Sequence, residues 1–327
     1  MPSIEPLPSG ANFRRAKTIW ELALDIAGNP AEPYYGNRDV RISVGSGSGE
    51  AFRSWLSFST GSPILAHAVA RGEVDFAFVN PSGVLTQAYR GTGLFADCDP
   101  LPLRVVFSYP SWDRFLIAVH PRTGLRSLED VKERKYPLRL SIREDPTHST
   151  RVLIDQLLPM YGFTLDELLS WGGTLQLNGP PMDRRRLAAI REGTVDIVLD
   201  EGINGWAEVA LQTGMQLITL EDEIFSQLQA IGWRRAVLPK SYSQYLQADH
   251  ACIDYSGWPL YTRASLADDD AYRVCASLNA RSQYMPWEDP VDSAAQLGLD
   301  AEATPLDVPV HPGAARWYRE HGVDVHG

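Results

Sequence analysis

The sequence predicts an α/β chain folded as two similar lobes with a ligand cleft between them, and three observations predict it. First, a short segment recurs: Arg71-Gly72-Glu73-Val74-Asp75-Phe76-Ala77-Phe78-Val79-Asn80 resembles Glu192-Gly193-Thr194-Val195-Asp196-Ile197-Val198-Leu199-Asp200. Each copy ends a helical pattern at a glycine, passes a Val-Asp pair and closes an apolar run on a polar residue, where a parallel strand emerges. Second, strand-like and helical runs alternate, the pattern of sheets covered by helices. Third, 327 residues suit roughly two domains of ordinary size.

A polar, Pro-rich arm (1–12) leads into a helix from Ala16 to Ala27, where Ile19, Trp20, Leu22, Ala23 and Ile26 recur at helical spacing. After a Gly/Pro/Asn loop (28–39), the strand Val40 to Val44 runs into Gly45-Ser46-Gly47-Ser48-Gly49 and a helix from Glu50. Two apolar strands follow, Leu103 to Ser108 and Phe115 to His120, then a helix over Ser127 to Arg134 and a strand from Leu138 to Ile142. The polar turn Asp145 to Thr150 opens a helix, Arg151 to Tyr161, with Val152, Leu153, Leu157 and Leu158 on one face. Ligands of parallel sheets sit beyond the carboxyl ends of the strands, so the cleft is expected on loops 45–49, 80–83, 145–150 and 200–204.

Composition narrows the partners. Thirty basic residues against 41 acidic ones give a net charge of −11 with no dense Lys/Arg run, which removes the footprint needed for nucleic acid or an anionic membrane surface. That balance does not forbid an anionic ligand, because local N–H groups and one or two arginines set the potential inside a cleft. Cys98, Cys252 and Cys275 are odd in number and widely spaced, and read as small buried apolar residues. The seven histidines form no HxxxH or HExxH, so a metal site is not indicated. The opening Met1 to Pro8 has no basic n-region and no apolar run, and predicts a cytoplasmic chain as it stands, or a periplasmic one whose leader has been removed.

Further segments carry a resemblance: Ala88-Tyr89-Arg90-Gly91-Thr92-Gly93-Leu94-Phe95, Leu125-Arg126-Ser127-Leu128-Glu129-Asp130-Val131-Lys132, Ser149-Thr150-Arg151, and the ending from Val308 to Gly322. Together with the glycine turn and the first repeat copy, their order resembles the TAXI group of solute-binding proteins, the extracytoplasmic receptors of TRAP transporters, over nearly all of 40–322. The resemblance implies a type 2 periplasmic-binding-protein fold, with an arm and helix at 1–37, one lobe from 38–115 plus 262–327, and the other from 116–261. It also implies hinge closure on an organic acid, no cofactor, and membrane subunits of a TRAP transporter as partners. The chain departs from the family in its helical N-terminal extension and in Asp200-Glu201-Gly202-Ile203-Asn204, where small or apolar residues are usual. Acidic groups there suit an amine, a guanidine or a hydroxyl, or proton chemistry.

The candidate ligand contacts follow from these loops. Backbone N–H groups of Ser46, Gly47 and Ser48 can approach an anion, although Glu50 stands where a dinucleotide fingerprint needs its third glycine. Thr147, His148, Ser149 and Thr150 occupy a helix start, where they bind a carboxylate or simply cap the helix, and Arg151 is a possible clamp. Asn80 and Ser82 follow the first repeated strand. Asp200 and Glu201 are adjacent, so strand geometry turns at most one of them to the cleft. Tyr109, Trp112, Trp258 and Tyr261 flank the lobe crossovers and offer aromatic faces. Asp183-Arg184-Arg185-Arg186 reads as a solvated helix start. The leading reading is a binding protein for a small organic anion. The alternative is a cytoplasmic lyase, decarboxylase or isomerase acting on a carboxylic acid, with His148, Asp200 and Glu201 moving protons.

Overall fold

The fold is organised by two mixed sheets, joined by two short crossings that run side by side. A computed structural model describes residues 11–29, 40–45 and 55–325. Helix α1 (Ala11–Gly28) precedes β1 (Arg41–Gly45), β2 (Trp55–Ser59), α2 (Leu65–Ala70), β3 (Phe76–Phe78), α3 (Ser82–Arg90) and β4 (Leu103–Tyr109). The middle of the chain forms β5 (Arg114–Val119), α4 (Leu128–Arg134), β6 (Arg139–Arg143), α5 (Ser149–Met160), α6 (Leu165–Ser170) and β7 (Thr174–Asn178). It continues through α7 (Arg184–Glu192), β8 (Ile197–Asp200), α8 (Ile203–Gln212), β9 (Gln216–Leu217), α9 (Asp222–Ile231), β10 (Arg235–Leu238) and β11 (His250–Asp254). Strand β12 (Trp258–Arg263) then returns to the first sheet, and α10 (Asp268–Arg281) and α11 (Pro312–Glu320) end the chain.

The first sheet has the order β1-β2-β3-β12-β4, and the second β10-β11-β5-β8-β6-β7 with β9 beside β5. Among the named strands of the described residues, β2–β3, β6–β7 and β6–β8 pair in parallel. Strands β1 and β2 form an antiparallel pair of their own, and every other antiparallel pair among the named strands involves a crossing strand, β4, β5, β11 or β12. The sheets are therefore mixed rather than wholly parallel. Residues 258–261 pair along β4 in the first sheet.

The helix expected from Glu50 begins at residues outside those described, and 55–59 form a strand antiparallel to β1. Trp55-Leu56-Ser57-Phe58-Ser59 alternates apolar and polar residues, the period of a strand with one face covered. The repeat is structural. Asp75 accepts from Ser57 N of β2 at 2.8 Å and pairs with Arg263 of β12 at 2.9 Å, while Asp196 pairs with Arg122 and Arg139 at 2.8 Å each. Each Val-Asp pair thus ties the start of an interior strand to neighbouring elements.

Core packing crosses the lobe boundary. Val84 and Leu85 of α3 belong to one buried cluster with Leu153 and Leu157 of α5, Phe225 of α9 and Trp233. Gln156 Nε2 donates to Gln87 Oε1 at 3.0 Å, and Trp233 Nε1 donates to Gln156 Oε1 at 2.7 Å, so the polar groups inside that contact are satisfied.

The crossings, 110–113 and 255–257, are stitched by backbone bonds from Tyr255 N to Asp113 O at 3.0 Å and from Gly257 N to Ser111 O at 2.9 Å. Arg114 locks them. Only 1% of its side chain is exposed; it donates to Asp113 O and Ser256 Oγ at 2.8 Å, pairs with Asp254 at 3.1 Å and reaches Glu302. Replacing it by Met leaves the buried Asp254 with only the more distant Arg234, 4.0 Å away, and the expected loss is about 3–5 kcal/mol. Urea unfolding checks this; Arg71→Ala, which removes an exposed pair with Glu73, is expected to leave the midpoint nearly unchanged.

Candidate functional site

Between the sheets lies a cleft with two communicating compartments of about 340 and 580 Å³. Both are lined by Asn80, Glu201 and Trp258, so the two volumes form one site. The loop Thr60 to Pro63, together with His148 and Ser149 at the start of α5, closes the smaller compartment. The larger one is bounded by Trp112 and Asp113 of the first crossing, Met182, Gly202, Glu288 and Asp289.

Local chemistry fixes each wall. His148 caps α5, its Nδ1 accepting from Thr150 N at 3.1 Å. Ser149 Oγ accepts from the buried Tyr255 hydroxyl at 2.7 Å. Gly202 turns the chain from β8 into α8 with φ +64°, a left-handed conformation in which a Cβ would collide with Pro181. Asp113 then holds the start of α8 by accepting from Gly202 N at 2.8 Å and Ile203 N at 3.2 Å. Trp258 stacks on Tyr109 with ring centroids 5.2 Å apart, yet its Nε1–H has no hydrogen-bond partner among the described residues. A buried indole donor left unpaired beside a cavity is a group waiting for an acceptor.

Behind the cleft, Asp200 is fully buried. Arg143 Nε donates to its Oδ1 at 2.9 Å, and Arg186, also fully buried, pairs with Oδ2. Asp200 is therefore structural and cannot touch a ligand, while Glu201 turns to the cavity. Arg186 departs from the expected solvated helix start because this buried carboxylate needs a second cation. Arg143 reaches Glu201 as well. Burial pushes the Glu201 carboxyl well above its usual range; Arg143 pulls it down, and Asp113 and Asp200 push it up. Asp113 is also raised, chiefly by burial, and hydrogen-bonds to Glu201. Burial of two carboxyls this close favours the neutral form of one of them.

The structure brings together six of the sequence candidates: Asn80, Trp112, His148, Ser149, Glu201 and Trp258. Five others stand elsewhere. Ser82 is buried in the first turn of α3. Thr150 is buried against the Tyr255 hydroxyl at 3.0 Å, and Thr147 is exposed and bonded to Asp145 at 2.8 Å. Tyr109 lies behind Trp258 with its hydroxyl on Pro286 O, and Asp200 is enclosed by arginines. Ser46, Gly47 and Ser48 lie outside the described residues. Arg151 donates to Arg143 O at 3.1 Å and does not line the cleft. Sequence reasoning missed Thr60 to Pro63, Asp113, Met182, Glu288 and Asp289. The Thr60-Gly61-Ser62-Pro63 turn signal was available; the acidic residues were not, since only folding brings 113, 201 and 288 together.

Two sheets, paired crossings and an intervening cleft define the two-lobed α/β class. The chain belongs to the NMT1-like family, whose pattern matches residues 42–322. That match does not reach the finer TAXI placement. Among solved structures, a periplasmic sulfonate-binding protein of an ABC transporter from Methylobacillus flagellatus is 11% identical, over 68% of this chain and 52% of that one, with a TM-score of 0.35. A binding component of a phosphonate ABC transporter from Pseudomonas aeruginosa is 15% identical, over 84% and 72%, at 0.34. A glycine betaine/L-proline-binding protein of an ABC transporter from Borrelia burgdorferi is 12% identical, over 68% and 70%, at 0.38.

The raised carboxyls have a direct consequence for stability. The folded chain keeps a proton on the Asp113–Glu201 pair that the unfolded chain releases near ordinary carboxylate values, so their contribution weakens as pH rises through the elevated folded values. Glu201→Gln keeps a neutral hydrogen-bonding group there. Urea unfolding of both proteins between pH 5 and 8 is expected to show the variant gaining on the wild type as pH rises; a constant difference would refute the retained proton.

Proposed function

We propose that this protein is a solute receptor that holds a small organic molecule in the interlobe cleft and closes on it at the paired crossings, outside the cytoplasmic membrane and in the service of a transporter. The observation that carries the reading is Trp258 Nε1–H, a buried donor with no hydrogen-bond partner among the described residues, on a residue that lines both compartments. A carboxylate or similar acceptor on the ligand satisfies it, together with the hydroxyl-rich end made by Thr60, Ser62 and Ser149 at the start of α5.

The other end of the cleft opposes a purely anionic ligand. Asp113, Glu201, Glu288 and Asp289 line it, and no lysine or arginine does so among the described residues. An amine or hydroxyl at that end offsets the carboxylates, and Trp112 and Trp258 supply aromatic faces for an aliphatic or cationic body. The ligand class is thus a small organic acid with a donor group at its far end. A TRAP-type transporter as partner is the finer form of the same proposal.

A second reading rests on the Asp113–Glu201 pair, whose retained proton suits acid–base chemistry in a lyase, decarboxylase or isomerase. His148 spends Nδ1 on capping α5, and Asp200 is sequestered by arginines, which leaves Glu201 as the group that reaches the cleft.

Thermal shift and titration calorimetry against amino acids, hydroxy acids, simple carboxylates and amines decide between ligand classes. A ligand at one hundred times its Kd is expected to stabilise the fold by about 2.7 kcal/mol. Trp258→Ala, which removes both the donor and the face, is expected to weaken binding by roughly one to two orders of magnitude, about 1.4–2.8 kcal/mol. No response to any of the four classes overturns the receptor reading; turnover of a bound acid that Glu201→Gln abolishes establishes the enzyme instead.

A further inference from the structure

Three hydroxyls stand in line where the second crossing meets the start of α5. The Tyr255 hydroxyl donates to Ser149 Oγ at 2.7 Å and lies 3.0 Å from Thr150 Oγ1. Packing fixes the tyrosine in that line. Its ring is fully buried against Phe115 and Trp233, with centroids 6.4 and 6.5 Å away, and its backbone N–H donates to Asp113 O at 3.0 Å. Burial also holds its hydroxyl well above the usual tyrosine range, so it keeps its hydrogen at neutral pH.

Only one direction of donation satisfies all three. Thr150 is fully buried, and its hydroxyl has no hydrogen-bond partner among the described residues besides Tyr255. If Thr150 accepted from Tyr255, its own hydrogen would be left in the interior without an acceptor, a costly arrangement. Thr150 therefore donates to Tyr255 and Tyr255 to Ser149, and the Ser149 hydrogen is the one left over. Ser149 is 5% exposed, and its Oγ has no second partner among the described residues. The place left for its hydrogen is the 340 Å³ compartment that Ser149 lines.

We infer that this chain of hydroxyls makes the compartment selective for a carboxylate head over a neutral amide, with Tyr255 as the positioning residue that turns the Ser149 hydrogen toward the ligand. The inference rests on the reading of the cleft as a receptor site and names the feature that chooses its ligand's head group. A second donor lines the same compartment, Trp258 Nε1–H, which also has no partner among the described residues. A carboxylate brings an acceptor for each donor. A primary amide brings one acceptor, and its NH2 must then face a donor that it cannot satisfy. Both protein groups are buried, so the mismatch leaves a desolvated polar group unpaired and counts heavily against the amide. Glu201 lines the compartment too, but burial favours its neutral form, and it does not repel the acid. Thr150 thus acts on the ligand at one remove, through Tyr255 and Ser149.

Matched acid and amide probes test the chain of hydroxyls: 4-aminobutanoate against 4-aminobutanamide, and 3-hydroxypropanoate against 3-hydroxypropanamide, titrated calorimetrically into the full-length protein. The wild type is expected to bind an acid about tenfold or more tightly than its amide. Tyr255→Phe frees the Ser149 hydroxyl to turn its oxygen to the ligand, and the acid-to-amide ratio is expected to fall about five- to tenfold, with amide binding unchanged or improved. A merely structural loss weakens both probes alike and leaves the ratio in place. Thr150→Val cuts the chain at its buried end and is expected to lower the ratio about two- to threefold, while Thr150→Ser keeps the hydroxyl and the wild-type ratio; these two variants carry the test if Tyr255→Phe does not fold. An unchanged ratio in Tyr255→Phe or Thr150→Val, or a wild type that prefers the amide, overturns the inference and leaves the receptor reading standing. A wild type that binds neither member of either pair also overturns it, and the receptor reading falls with it only when the wider series of acids and amines gives no response.

Discussion

Everything in the molecule depends on the strap that Arg114 makes across the two crossings. Its guanidinium is buried and donates to both chain segments that pass between the sheets, through Asp113 O on one and Ser256 Oγ on the other. Two unrelated stretches of chain, some 140 residues apart in sequence, are thereby held as one hinge. A buried cation of this kind requires several acceptors at once, and Asp254 and Glu302 complete the set. The geometry of the cleft follows, because β5 and β12 leave the strap in opposite directions and carry the first residues of its walls.

A second layer of buried charge aims the acidic wall. Arg143 and Arg186 clamp Asp200 at the end of β8, and Arg143 extends to Glu201. With Asp200 fixed, the next residue turns to the cavity and meets Asp113 from the first crossing. Both carboxyls are desolvated, which favours the neutral form of one of them. Asp113 accordingly has three tasks, as part of the strap, as the cap of α8 and as a wall of the cleft. Such concentration of roles explains why the cations near this site, Arg143 and Arg114, have none of their charge left for a ligand.

The distribution of apolar surface gives the two faces of the first sheet different characters. One face is closed by a core that continues through α3 into α5 and α9. The other is covered by α10 and α11 and retains an apolar groove between them and the strands.

Much of this was legible in the sequence. The repeated Val-Asp segments marked equivalent strands of two lobes, since an apolar run ending on a polar residue has one natural place in a sheet. Adjacency alone told that only one of Asp200 and Glu201 faces the cleft, because successive side chains on a strand point to opposite sides. Periodicity placed α1, α4 and α5 within a few residues. What the sequence could not decide was partnership. Ser82, Thr150 and Tyr109 are chemically able to hold a ligand, but tertiary contacts use their groups elsewhere, and Arg186 looks like any surface arginine until Asp200 lies beneath it. Local pattern reports the backbone's period and the polarity of a face; it has no information on which distant residues will share a buried charge. The strap, the carboxyl pair and the cleft they form join residues far apart in sequence, and only the folded chain brings them within hydrogen-bond reach.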